Sequence, residues 1–298
     1  MLLIYVLKYI IKGLIRVDIS LFNFADNMTN SIADNVLLLL FLVAIIAGIV
    51  DAIAGGGGLI TVPSLLLAGV PPFIALGTNK LQAVIGEATS FITFLLHHQV
   101  KTQGLLLGII TTAIGAILGS YAVSLFDEDS LRFLLPILMV CITAYSILSK
   151  SMKNPTASAP KISNTTFMVL GGLFIGFYNG FFGPGTGAIW MILFVILLGY
   201  TIKQSSISTK PLNLVGNFVS LLFFIGIGSV DYSLGLVMGA GQILGSIIGS
   251  KMVIKNGDKI VRPIFITVTL IMTCKLIYEM PFNALSGFKE MLIASLSI

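Results

Sequence analysis

Charge is scarce in this chain: only 10% of its 298 residues are Asp, Glu, Lys or Arg. A soluble domain needs roughly 25% charged residues to cover its surface. With 56% of residues hydrophobic, most of the chain must be solvated by lipid. Cysteine is equally sparse. Cys141 and Cys274 both sit inside apolar runs, with no CxxC or Cys/His cluster, so the sequence offers no disulfide framework and no metal site. They read as small apolar packing residues. The two histidines, His97 and His98, are adjacent at the end of an apolar run and read as interfacial. Trp190, the one tryptophan, and the many Phe fit lipid-facing or core packing. No convergent nucleophile, base or metal set is evident, so the chain is not expected to be an enzyme and no cofactor is implied.

The net charge of +5 is not a nucleic-acid signature. The basic residues lie in short loops between apolar runs, as membrane topology requires, and form no basic stripe. The expected partner is the bilayer, and no nucleic acid is expected. A homo-oligomer is compatible with the sequence, which does not set the oligomeric state.

What is present is a series of apolar runs, of which a full membrane crossing needs about 20 residues. Candidate elements cover 36–54, 58–69, 77–96, 104–125 and 131–149, then 166–182, 187–200, 205–228, 232–250 and 260–279. This predicts an all-α polytopic membrane protein of two halves, 34–149 and 165–280. A polar linker, 150–164, joins them. Residues 1–33 read as an N-terminal extension with an interfacial helix rather than a cleavable signal, since Lys8, Lys12 and Arg16 lie within and after its apolar stretch. Residues 281–298 read as a peripheral amphipathic tail.

The halves match residue by residue. Gly48-Ile-Val-Asp51 before the glycine run Gly55, Gly56, Gly57, Gly58 corresponds to Gly176-Phe-Tyr-Asn179 before Gly183, Gly185, Thr186 and Gly187, an offset of 128 between Gly48 and Gly176. Thr78-Asn79-Lys80 corresponds to Ser208-Thr209-Lys210, and Gly115–Ser120 to Gly245–Ser250, at an offset of 130. A two-residue length change reconciles the two offsets. In each half the second element is short and follows the glycines, so each half carries a broken or re-entrant pair.

The acidic loop Asp127–Arg132 and its basic equivalent Lys251–Arg262 predict opposite sides of the membrane for equivalent loops. The linker and the segment 97–103 then fall in the cytoplasm, and the halves are inverted. Full crossing and re-entry of the short elements fit this equally.

Inverted-repeat transporters place their site near the midplane, at discontinuous helices. A broken helix exposes N–H groups and a positive dipole end, which can hold an anion. The two glycine clusters are such breaks; close helix packing is the competing explanation. Lys80 and Lys210 each lie early in a long apolar helix. An intramembrane charge costs at least about 2.5–3.5 kcal/mol, which makes both candidates for attracting an anion, with snorkelling as the alternative. Thr78, Asn79, Thr209 and Asn213 could hydrogen-bond beside them. Glu87, seven residues after Lys80, lies near mid-helix, where a carboxyl is costly to keep charged; this suits a proton carrier. A structural pairing with Lys80 or with a freed backbone group is the alternative. Its equivalent, Asn217, does not titrate. Asp51 and Asn179 fit capping roles.

The stretches GIVDAIAGGGGLITVPSLLLAGVPPFIALGTNKLQ (48–82) and GFYNGFFGPGTG (176–187), with Ser208-Thr209-Lys210, resemble the TauE/SafE family of sulfite-exporter-like transporters. The resemblance covers about residues 36–280. It implies a bacterial cytoplasmic-membrane permease for small anions such as sulfite, sulfonates or related sulfur or carboxylate compounds. The lysines and glycine breaks are the matching positions. The resulting expectation is a secondary carrier driven by an ion gradient, with protons the expected ion. The rivals are a passive anion channel and, more remotely, a membrane enzyme.

Overall fold

The computed structural model describes residues 34–99, 104–127, 130, 131, 134 and 159–257. The extension 1–33, most of the elements expected at 131–149 and 260–279, and the tail 281–298 lie outside the described residues, as do Cys141 and Cys274.

The described residues form eight helices and no strand: α1 (Asp34–Ala54), α2 (Gly58–Leu67), α3 (Pro72–Leu96), α4 (Leu105–Val123), α5 (Asn164–Phe181), α6 (Thr186–Leu198), α7 (Ile202–Gly226) and α8 (Tyr232–Asn256). Their boundaries follow from local chemistry. Pro72 opens α3, where the missing N–H costs nothing. Ser163 caps α5 by accepting from Thr166 N–H at 3.0 Å. Thr201 and Gln204 form a capping box at the start of α7. Asp231 caps α8 by accepting from Leu234 N–H at 2.9 Å. Gly199 ends α6 in the left-handed region at φ 67°.

The bundle is apolar outside and polar inside. On α4, Leu106, Ile110, Ile114 and Leu118 are exposed at every fourth position. Leu38, Leu42 and Ile46 of α1 and Leu236, Leu244 and Ile248 of α8 are exposed as well. The fully buried side chains include Lys80 and Lys210. This is the reverse of a soluble bundle and the arrangement a lipid solvent selects. Among the described residues, α1 from Val36, α4, α7 and α8 are long and apolar enough to cross a membrane. Trp190 is interior, packed edge-on against Phe167.

Two seams of small residues hold the halves together. Gly115 and Gly119 of α4 face Gly172, Gly176 and Gly180 of α5; a Cβ at Gly176 would lie 2.5 Å from Thr112 O. Gly241, Gly245 and Gly249 of α8 face Phe41, Ile45 and Ile49 of α1; a Cβ at Gly249 would lie 2.6 Å from Ile49 O. Such close approach lets dispersion and weak polar contacts replace the hydrophobic drive that lipid removes. The repeated GAILGS and GSIIGS segments are therefore packing seams. Each joins the fourth helix of one half to the first helix of the other.

The ends of the helices sort into two sets. At the end carrying Lys161, whose N–H donates to Leu197 O at 2.8 Å, α4 and α5 begin and α6 finishes. Phe94, Ile202 and Val253 cluster nearby, so α3 and α8 finish and α7 begins there too. At the far end, α1, α3 and α8 begin and α2 finishes, around Leu40, Leu65, Val70, Ala75 and Leu234. Val123 and Phe224 bring the ends of α4 and α7 to the same region. The short helices α2 and α6, with 10 and 13 residues, rise only about 15 and 20 Å, short of the roughly 30 Å hydrocarbon core. Each returns the chain to the end at which its half began. Each half thus contains a helical hairpin whose second arm is short.

Candidate functional site: two buried lysine centres

The glycine breaks meet in the middle of the bundle. A Cβ at Gly55 would lie 2.8 Å from Ala188 N, and one at Gly187 2.5 Å from Gly55 Cα and 2.8 Å from Asn213 Nδ2. Gly58 faces Pro184, with 3.0 Å between its virtual Cβ and the proline Cα. Gly55 (φ 67°), Gly183 (φ 99°) and Gly185 (φ 80°) occupy the left-handed region that disfavours other residues. Gly56 differs, since a Cβ there would make only ordinary contacts, 3.7 Å from Val50.

Each lysine reaches across to the opposite half. Lys80 Nζ donates to Asn179 O (2.6 Å), Asn179 Oδ1 (2.7 Å) and Asn217 Oδ1 (3.2 Å). Lys210 Nζ donates to Asp51 O (2.5 Å) and lies 3.5 Å from Asp51 Oδ2 and 3.4 Å from Glu87 Oε2. Asp51 and Asn179 are equivalent residues, as are Glu87 and Asn217. Each ammonium therefore meets three oxygens from the same two positions, which match its three N–H donors. Lys80 is 0% exposed and Lys210 1%, which excludes snorkelling to the interface.

The chemistry of the two centres differs. Around Lys210 two carboxylates face one cation. Asp51 also accepts from Gly57 N–H at 3.1 Å, so an internal carboxylate already occupies the start of α2. Glu87 accepts from Asn213 Nδ2 at 3.0 Å, while its Oε2 has no hydrogen-bond donor other than the ion-paired lysine. Around Lys80 the oxygens are neutral amides and a carbonyl, and among the described residues this lysine makes no ion pair. Neither short helix carries an acidic residue in its first turn, so the carboxylate at the start of α2 is that of Asp51, whose equivalent is the neutral Asn179. Gly183 lies against Lys80 Nζ with no room for a side chain. The Asn179 Nδ2 donor is buried and unpartnered.

Several expected roles shift. Glu87 pairs with Lys210 rather than with Lys80 of its own helix. Asn179 binds Lys80 instead of capping the break, whereas Asp51 both caps and pairs. Asn79 accepts from Thr61 Oγ1 (2.7 Å) and Gln82 Nε2 (2.9 Å), tying α2 to α3 rather than touching a lysine. Thr209 Oγ1 donates back to Ser205 O (2.8 Å) within α7. Thr78 Oγ1 accepts from Asp231 N–H (2.9 Å) at the far end of the bundle. Thr186 Oγ1 donates to Gly183 O (2.5 Å) and stiffens the second break. Asn179, Asn217 and Asp51 were legible as polar partners of the repeat, but not as lysine ligands.

The model of the family described as sulfite exporter TauE/SafE matches residues 40–276. The chain belongs to this family. TauE/SafE relatives include the probable membrane transporter protein YfcA of Escherichia coli K12, 39% identical over 240 residues, covering 80% of this chain and 89% of that protein. A probable membrane transporter protein of Haemophilus influenzae is 37% identical over 245 residues, covering 82% and 96%. The probable membrane transporter protein ORF9 of a Sinorhizobium species is 36% identical over 251 residues, covering 83% and 95%. No solved structure matches the chain. The TauE/SafE match and the apolar helices make this chain a multi-pass membrane transporter.

Proposed function

We propose that the chain is a secondary carrier of a small organic or sulfur oxyanion across a bacterial cytoplasmic membrane, coupled to protons. Its two halves, 34–149 and 165–280, act as inverted repeats joined by the linker 150–164. The supporting observation is the unequal pair of lysine centres. Lys80 is a buried cation facing only neutral oxygens, beside a helix start that lacks the carboxylate its equivalent contains. That electrostatic setting favours an anion near Lys80, Asn179, Gly183, Gly185 and Thr186. Gly187, Gly55, Gly57 and Gly58 supply the close backbone approach.

At the second centre Asp51, Glu87 and Lys210 share charge. Counting Lys80, Lys210, Asp51 and Glu87, full ionisation leaves the buried cluster neutral. One proton on the carboxylate pair leaves a single positive charge, which a monovalent anion neutralises. Glu87 is the proton carrier in this reading, because Asp51 is also committed to Gly57 N–H.

The test is uptake and efflux of labelled sulfite, thiosulfate, sulfoacetate and acetate in proteoliposomes, with and without an imposed pH gradient. Saturable flux of one anion, accelerated by the gradient, supports the carrier. Flux indifferent to the gradient would convert the reading to a passive channel. No flux of any of these anions through folded protein would remove the assignment.

A further inference from the structure

The two ends of the bundle are not in the same state. At the far end the α7–α8 turn sits down on the start of α3. Ser229 O fills the place where a side chain at Gly77 would be, and Asp231 N–H donates to Thr78 Oγ1 at 2.9 Å. Thr78 is 0% exposed as a result. The equivalents of Gly77 and Thr78, at the offset of 130 that relates Lys80 to Lys210, are Ile207 and Ser208. The equivalent of Ser229 is Gln99. Ile207, Ser208 and Gln99 all line one open cleft of about 440 Å³, with His98, Tyr200, Thr201, Lys203 and Gln204 completing its wall. Three of the four positions that make the contact at one end line a cavity at the other, and the fourth, Lys101 as the equivalent of Asp231, lies outside the described residues.

The cleft also points at a lysine centre. Ile207 and Lys210 are three residues apart on α7 and so share a helix face, as Gly77 and Lys80 do on α3. Ser206, one residue before Ile207, donates from Oγ to Ala52 O at 3.1 Å, beside the Asp51 that binds Lys210. The wall is polar enough to be wet, and it lies at the Lys161 end, which the charge of the linker assigns to the cytoplasm.

We infer that this cleft is the cytoplasmic mouth of the anion path, and that the Gly77–Ser229 and Thr78–Asp231 contacts are the closed periplasmic gate. The inference rests on the carrier reading above and assigns it a state and an entrance. The occupant of the mouth is the transported small anion, on its way to or from the Lys210 centre. Glycine at position 77 is required for this closure, since any side chain there collides with Ser229 O.

Thr78 and Ser208 make a matched pair for the test. In a Cys141→Ala/Cys274→Ala background, Thr78→Cys and Ser208→Cys are exposed to a membrane-impermeant, negatively charged methanethiosulfonate in vesicles of known sidedness. Ser208→Cys is expected to label from the cytoplasmic face at least tenfold faster than Thr78→Cys labels from either face. Adding Gly77→Ala is expected to accelerate Thr78→Cys labelling from the periplasmic face by a similar factor. Equal labelling of the two positions, or a slow Ser208→Cys reaction, would overturn the assignment. A bulky adduct at Ser208→Cys is expected to block flux of whichever labelled anion the protein carries. Undiminished flux through the modified protein overturns the mouth while leaving the carrier intact. Absence of flux in unmodified protein is failure of the carrier reading, which the labelling rates do not share.

Discussion

Lys80 and Lys210 stand at equivalent positions, each held by the end of the opposite half's first helix and by a residue seven beyond the other lysine. They differ only in what those positions carry. Asn179 and Asn217 leave the Lys80 charge uncompensated, whereas Asp51 and Glu87 overcompensate Lys210. A duplicated scaffold has thus been kept in geometry and divided in charge. The centre with the uncompensated lysine suits an anion, and the acidic centre suits a proton. The shared geometry also makes each lysine a clamp between halves.

The largest expected contrast is between the two lysine deletions. Lys210→Met leaves the buried Glu87 and the half-buried Asp51 without a cation; breaking a buried pair in this way typically costs about 3–5 kcal/mol. Lys80→Met leaves three buried oxygens without their donor but also removes a buried charge that had no counter-charge, so its net cost to folding is expected to be smaller. Thermal unfolding of the purified variants in detergent checks this. Both variants are expected to lose transport, but only Lys210→Met should lose most of its thermal stability. Equal losses would erase the distinction between the centres.

The sequence was a good guide to this scaffold and a poorer one to its wiring. The glycine breaks, the lysines and the repeat offsets were all visible, because polar and glycine residues stand out against an apolar chain. Periodicity within one helix placed Lys80 and Glu87 on one face and so suggested that they pair. It could not reveal that α3 lies beside α7 running the other way, which brings Glu87 level with Lys210 and Asn217 level with Lys80. Thr78 adjoins the lysine in sequence, yet bonds to a turn that only the tertiary fold brings near. The broken pair in each half was legible from the glycines and the short second element, but only packing shows to which end α2 and α6 return.

A finer contrast lies in the breaks themselves. Gly183→Ala forces a side chain into the left-handed region and against Lys80 Nζ, with an expected cost of about 1–3 kcal/mol and impaired transport. Gly56→Ala meets only ordinary contacts, and its effect on stability is expected to stay within about 0.5 kcal/mol. Melting temperatures and initial transport rates of the two variants, measured side by side, check the prediction. A Gly56→Ala variant as damaged as Gly183→Ala would contradict the geometry assigned to the first break.

The division of labour between the centres is tested most directly by anion flux into proteoliposomes under an imposed pH gradient, comparing the natural chain with Glu87→Gln. The substitution keeps the side-chain shape and the oxygen that accepts from Asn213 while removing the titrating proton. Gradient-driven accumulation is expected in the natural chain. In Glu87→Gln it is expected to vanish, leaving exchange of anion for anion across the membrane. Accumulation that persists undiminished in Glu87→Gln would contradict the assignment of the proton to the Lys210 centre.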